Sequence, residues 1–187
     1  MKTAIVTVTN DLTTDQRVHR TCLALAGMGY RVTLVGRRLR DSLTLAPRDY
    51  TTERMRLVFD QGPCFYAEYN IRLLMYLLFR KADLIVTNDL DTLPAGFFAS
   101  RIRRISHLHD CHEYFRGVPE LVGRPGVTRI WKWIEDLIFP KLKQIIAVND
   151  SVAKLYRDEY GVPISVVRNV PFRKTVPPPP EKPPFGI

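Results

Sequence analysis

Residues 3–35 read TAIVTVTNDLTTDQRVHRTCLALAGMGYRVTLV, and this stretch decides the fold. Thr3–Thr9 is a run of β-formers ended by Asn10 and Asp11, which predicts a buried strand. Asn10–Thr14 is a polar loop. Thr13 and Gln16 have the spacing of a capping box, and Asp15 suits a helix N-terminus. Val18, Cys22, Leu25 and Ala26 then fall on one helical face, and Gly27 and Gly29 mark its end. Arg31–Val35 is a second run of strand formers. Strand, helix and strand in this spacing make a βαβ unit, which requires a parallel pair and a right-handed crossover.

The alternation continues outward from that unit. Strands are expected at Met55–Phe59, Leu84–Thr87, Ile105–His109, Ile145–Val148 and Ile164–Val167. Helices are expected at Phe65–Arg80, Thr92–Arg103, Val127–Lys143 and Ser151–Tyr160, the last ended by Gly161. Pro94 falls in a first helical turn, where its missing N–H costs nothing. Arg37–Glu53 is polar and weakly patterned, a loop with some irregular helix. The fold class is α/β: a Rossmann-like, doubly wound, mostly parallel sheet flanked by helices. From Pro171 the composition changes, and Val176–Pro184 reads VPPPPEKPP, a stiff polyproline-type linker. The expected organisation is one domain over residues 1–171 and a linker over 172–187 leading to a further, C-terminal domain.

The totals narrow the function classes. With 187 residues the chain holds one α/β domain with a sizeable core, not two. The formal net charge of +9 favours anionic partners such as diphosphate-bearing substrates or an anionic membrane surface. The cations are dispersed and no nucleic-acid-binding motif is present, so no nucleic-acid partner is expected. Cys22, Cys64 and Cys111 form no CxxC pair, which fits a reducing, cytoplasmic setting better than a disulfide framework. The most apolar run, Ile71–Phe79, contains Arg72 and is too short to span a bilayer, so any membrane association is peripheral.

In an open parallel sheet the ligand binds beyond the C-terminal ends of the strands. The residues after each strand are therefore the informative ones. The first strand runs into Asn10, Asp11, Asp15 and Arg17. The LIVT strand runs into Asn88, Asp89 and Asp91, and the next into Asp110, His112 and Glu113. Asn149 and Asp150 follow IIAV, where they equally suit a helix cap, and Arg168 and Asn169 follow the last strand. Carboxylates, amides and a few cations on one edge suit a polyhydroxylated ligand such as a sugar. No GxGxxG or Walker sequence follows the first strand. HLHDCHE, His107–Glu113, has ligand-type residues, but alternation puts His107 and His109 on one face and Asp110 and His112 on the other, so no metal is expected. His112, at the strand end, is the candidate catalytic residue, a ring able to switch protonation near pH 7. On the long helix, Ile130, Ile134, Leu137 and Ile138 form the expected core stripe, with Trp131 off it.

Three stretches together resemble a known family. VTNDLTTDQRVHR with YRVTLVGR, VTNDLDTLPAGFFASR with HLHDCHEYFRGVPEL, and IIAVNDSVAKLYRDEYGVPISVVRNVP resemble, in order, the N-terminal domain of GT4-type glycosyltransferases. The resemblance runs from Thr3 to Pro171. It implies a GT-B architecture in which this domain shapes the acceptor side of a cleft. A second Rossmann-like domain, absent here, would bind a nucleotide-diphosphate sugar as co-substrate. It implies retaining glycosyl (hexosyl) transfer without cofactor or divalent metal, to a glycan or lipid-linked acceptor, in surface polysaccharide or glycolipid synthesis. The family's strand-five histidine maps onto His112, and its first-loop contacts onto Asn10–Arg17. One departure is the first loop, which has no glycine to admit donor phosphates. The isolated chain is expected to lack turnover. A nucleotide-sugar epimerase of the same fold and a non-catalytic module for glycan or lipid headgroups are the competing readings.

Overall fold

The computed structural model describes residues 1–13 and 15–170. The proline-rich linker assigned to residues 172–187 lies outside the described residues. Seven strands form one all-parallel sheet: β1 Thr3–Asp11, β2 Arg31–Arg38, β3 Thr51–Arg56, β4 Leu84–Asn88, β5 Ser106–Cys111, β6 Ile145–Ala147 and β7 Ser165–Val166. Their order is β3-β2-β1-β4-β5-β6-β7. The chain winds from β1 outward to β3, then returns to place β4 on the other side of β1. The crevice at the β1/β4 boundary is the topological switch point.

Five helices connect the strands: α1 Gln16–Gly27, α2 Gly62–Phe79, α3 Leu93–Arg103, α4 Pro125–Ile138 and α5 Asp150–Tyr160. Strand alternation divides the core between the two faces. Ala4, Val6, Val8, Val32, Leu34 and Val86 meet α1 through Val18, Cys22 and Leu25. Ile5, Val35 and Ile85 face α2 and α3 through Tyr69, Leu73, Leu77 and Ala99. A third cluster joins Leu93 and Phe97 of α3 to Trp131 and Ile138 of α4 and Tyr156 of α5. The three cysteines are free.

Four local expectations are corrected. The third strand is Thr51–Arg56, not Met55–Phe59, because β2 continues to Arg38 and pairs Thr33 with Thr51. No helix occurs in the described stretch 39–50. The N-cap of α1 is Asp15, whose carboxylate accepts from the N–H groups of Arg17 and Val18, both at 3.1 Å. Thr13 instead bonds the Asp11 carboxylate through its N–H and its hydroxyl. The buried stripe of α4 is Trp131, Glu135 and Ile138, while Ile130, Trp133 and Leu137 face outward. Ile130 and Leu137 share a face with Trp133 at i, i+3, i+7 spacing, so one rotation of the helical wheel exchanges the two assignments.

Gly29, at φ 85°, closes α1 in the left-handed region that a side chain disfavours. Gly36 in β2 serves the first loop, because a Cβ there would lie 2.4 Å from Leu12 Cδ2 and 2.8 Å from the Asn10 carbonyl. The loop itself has no glycine, but the strand beneath it does, and the close approach is made on that side.

Candidate functional site

At the switch point three loops converge. The first is built on Asp15. It caps α1, is buried, accepts from Asn10 Nδ2 at 3.2 Å, and lies 3.7 Å from Arg17 Nε. Asn10 is exposed and Arg17 is 39% exposed, so both rim the crevice.

The second loop follows β4. Asn88 is fully buried, and its amide N–H donates to the Thr7 carbonyl at 2.9 Å. Asp89 sits at φ 59°, a conformation Asp tolerates better than most residues. Its N–H donates to the Asp110 carbonyl at 3.0 Å, and its carboxylate accepts from the N–H of His112 at 3.0 Å. Burial, then the nearby Asp91 charge, raises its pKa well above the carboxylate range. Asp91 accepts the hydroxyl of Thr9. Burial lifts its pKa to about 6 against that hydrogen bond, and Glu113 adds to the rise.

The third loop follows β5. Asp110 is buried, and burial raises its pKa to about 7, opposed by Arg17 and assisted by Asp15. His112 Nε2 lies 3.0 Å from Asn88 Oδ1 and 3.5 Å from Asp110 Oδ2. Because Asn88 spends its N–H on Thr7, the oxygen faces the ring, and the network assigns the proton to Nε2. Nδ1 is then a buried lone pair with no protein partner among the described residues. The side chain is only 5% exposed. Burial, then Arg17, lowers its pKa to about 4, so the expected protonation switch near pH 7 is corrected: the ring is neutral there. Asp91, at about 6, and Asp110, at about 7, instead titrate near neutrality.

The crevice therefore gathers Asn10, Asp15, Arg17, Asn88, Asp89, Asp91, Asp110, His112 and Glu113. The last is exposed, on the loop after His112. Three other candidates sit elsewhere. Asp11 turns toward the β2–β3 side, where it accepts from Ser42 and Thr13 and lies 3.7 Å from Arg54. Burial opposes its ionisation, but these partners outweigh it and hold its pKa below the ordinary value. Arg168 pairs with Asp150 at 3.2 Å, and Asn169 accepts from Arg20 of α1 at 2.6 Å. Asn149 is a cap, accepting from Val152 N–H at 2.8 Å.

His107 and His109 share Thr87 Oγ1, at 2.9 and 3.0 Å, inside the α3-facing core. Burial lowers their pKa values to about 4 and about 3. Among the described residues no group of three or more His, Cys, Asp or Glu is placed to hold a metal ion. Sequence reasoning missed Thr9 and Asn70. Asn70 accepts from Ala95 N–H at 3.1 Å and donates to the Asp91 carbonyl at 2.8 Å, fixing the second loop to α2. Thr9 was legible as the last residue of its strand; nothing in the sequence ties Asn70, mid-helix, to a loop 21 residues away.

The family model for Glycosyltransferase Family 4 matches residues 15–170. The chain belongs to that family. Solved structures agree in fold. Sucrose-phosphate synthase from Thermosynechococcus elongatus superposes with a TM-score of 0.61 at 14% identity, over 90% of this chain and 48% of that one. Anabaena Alr3699/HepE, solved in complex with UDP-glucose, gives 0.56 at 14% identity, over 90% and 44%. UDP-N-acetylglucosamine 2-epimerase from Rickettsia bellii gives 0.59 at 13% identity, over 90% and 45%. This family 4 chain thus spans about half the length of these neighbours. No curated protein matches the sequence. Among the described residues no helix is long and apolar enough to cross a membrane.

Proposed function

We propose that this family 4 domain is the acceptor-side half of a retaining glycosyltransferase. It moves a sugar from a nucleotide-diphosphate donor to a glycan or lipid-linked acceptor, in surface polysaccharide or glycolipid synthesis. The observation that carries this reading is the convergence of the β1, β4 and β5 loops on the switch-point crevice. In the transfer, an acceptor hydroxyl oxygen bonds to the anomeric carbon as the bond to the donor diphosphate breaks, and the hydroxyl proton passes to a base. Asn10, Arg17 and Glu113, on the rim, bond sugar hydroxyls. Asp89, Asp91 and Asp110 hold the loops that present them. The His112 ring faces Asn88, so contact with a sugar requires it to turn out of that pairing. A second Rossmann-like domain following residues 172–187 holds the nucleotide.

Two further features support the acceptor class. A 570 Å³ pocket beside the β5 loop is lined by Arg116, Arg124, Arg129 and Lys132; Arg116 and Lys132 are paired with Glu135, Glu159 and Asp136, and Arg124 and Arg129 are the charges left to suit a lipid diphosphate. The outer face of α4 carries Ile130, Trp133 and Leu137 beside Arg129, a composition that suits an anionic membrane surface.

The test is product analysis on the natural full-length gene product, given tritiated UDP-glucose, matching GDP- and ADP-sugars, and a polyprenyl-diphosphate-sugar acceptor. Label appearing on the acceptor, one for each nucleoside diphosphate released, supports the reading. Arg17→Ala and Glu113→Ala then lower the rate at least tenfold. An isomerised nucleotide sugar formed without acceptor replaces it with the epimerase reading. No product from any donor replaces it with the binding-module reading.

A further inference from the structure

At the opposite edge of the sheet, α3 ends beside the starts of β5 and β6. A pocket of 420 Å³ opens there, within the range of small-ligand sites. It is lined by the exposed side chains of Arg101, Arg104, Lys141 and Lys143, by the exposed polar residues Ser106 and Gln144, and by an apolar wall of Phe97, Ile105 and Leu142. It lies about 16 Å from the crevice, the rise of β5 from Ser106 to Cys111 at roughly 3.3 Å per residue.

The charge of this pocket is unbalanced. No carboxylate lines it, and among the described residues none of the four cations forms an ion pair. Elsewhere some cations find partners, such as Arg72 with Glu68 and Lys154 with Asp158, while others, such as Arg56, Lys81 and Arg129, form no ion pair among the described residues; what sets this pocket apart is that four unpaired cations gather around one concavity. The C-terminal dipole of α3, equivalent to about half a negative charge, accounts for part of Arg101 and Arg104. It does not account for Lys141 and Lys143, which belong to the 3-10 turn after α4 and to the segment before β6. Four exposed like charges around one concavity are screened by water and salt but still sum to a positive potential that favours an entering anion.

We propose that this pocket is a second, non-catalytic anion site, for a ligand that carries a phosphomonoester or pyrophosphate beside a small apolar group. Arg101 and Arg104 offer forked N–H donors to phosphate oxygens, the two lysines offer point charges, and Phe97, Ile105 and Leu142 cover the apolar part. The same chemistry is presented by a soluble phosphate ester and by a phosphorylated lipid headgroup. The site is independent of the transfer reaction proposed above, because no crevice residue lines it.

The experiment is titration of the 187-residue chain with inorganic pyrophosphate, followed by amide chemical shifts and calorimetry. The amides of Ser106, Lys143 and Gln144 are expected to shift. Lys141→Glu with Lys143→Glu weakens the calorimetric affinity at least tenfold, and the milder Lys141→Gln with Lys143→Gln at least threefold. The charge-matched pair Arg56→Glu with Lys154→Glu, both exposed and neither lining the pocket, changes it less than twofold. In parallel, co-sedimentation uses phosphatidylcholine vesicles with and without phosphatidic acid. Vesicle binding lost in the Lys141/Lys143 variants supports the site and identifies a headgroup; pyrophosphate binding without vesicle binding supports it and identifies a soluble ester. Shifts confined to crevice residues such as Asn10 and Glu113, or equal weakening by the control pair, would overturn the proposal.

Discussion

His112 donates its Nε2–H to Asn88 Oδ1 across 3.0 Å, and Asn88 is locked in that orientation by its own bond to the Thr7 carbonyl. The ring is thereby held as a neutral tautomer. Its pKa of about 4 is set first by burial and then by Arg17. NMR titration of the imidazole is expected to show no change between pH 8 and 5.5 and a midpoint near 4. A midpoint above 6 would mean that the ring is solvated and the Asn88 pairing is not formed. Because the folded pKa lies below the unfolded value of about 6.5, this group contributes stability above pH 6.5 that is lost as pH falls toward 4.

Asp110 behaves with the opposite sign. Its folded pKa of about 7 lies above the carboxylate reference of 3.8. The folded state therefore holds a proton that the unfolded state releases, and stability falls as pH rises from about 4 to 7. Asp110→Asn removes that penalty. Chemical denaturation of the variant is expected to show a gain of about 1–3 kcal/mol over the parent at pH 8 and none at pH 4. An equal effect at both pH values would show that Asp110 is not titrating in the fold.

The sheet was legible because its strands are short apolar runs closed by Asn, Asp or Gly, as in Thr3–Asn10 and Leu84–Asn88. The position of the crevice followed from topology alone. The third strand was misplaced because TTERMR, Thr51–Arg56, has no apolar alternation; it forms as an edge strand, paired only with β2. Asp11 and Asp15 show a different limit. Both are carboxylates of one loop, yet Asp15 enters the crevice and Asp11 is drawn off by Ser42 and Arg54. Those partners lie 31 and 43 residues away, beyond any local pattern.

Arg116 anchors the β5 loop to two helices. Its Nε donates to Glu135 Oε2 at 2.6 Å, its Nη2 reaches Glu159, and the Tyr160 hydroxyl donates to the same Glu135 oxygen at 3.0 Å, leaving Oε1 buried with no hydrogen-bond partner among the described residues. Glu135 is fully buried, with its pKa raised by burial against the Arg116 charge. Arg116→Ala strands that carboxylate and is expected to cost about 3–5 kcal/mol in urea unfolding at pH 7.5. The cost shrinks as pH falls, because burial has raised the Glu135 pKa and the stranded carboxylate can take up a proton. Arg116→Met with Glu135→Leu recovers most of the loss. A single-variant cost below about 1 kcal/mol would place the pair in solvent.

Trp131 and Trp133 give the sharpest test of how α4 is rotated. Trp131 is 5% exposed and packs edge-on against Tyr66 and Phe115, with ring centroids 5.0 Å away in each case. Trp133, two residues on, is 64% exposed. The hydrophobic pattern alone fits either rotation, because Ile130, Ile134 and Leu137 supply apolar groups on the alternative face. The choice is made by Glu135, which shares the buried face with Trp131 and reaches Arg116 only from there. Trp131→Ala is expected to cost about 3–5 kcal/mol through the cavity it leaves. Trp133→Ala should stay within about 0.5 kcal/mol, since the side chain is mostly exposed and little packing is lost. Paired urea-unfolding curves read both values. Comparable costs at the two positions would mean that α4 is not seated on its Glu135 face, and that the outward stripe of Ile130, Trp133 and Leu137 is not available to a membrane.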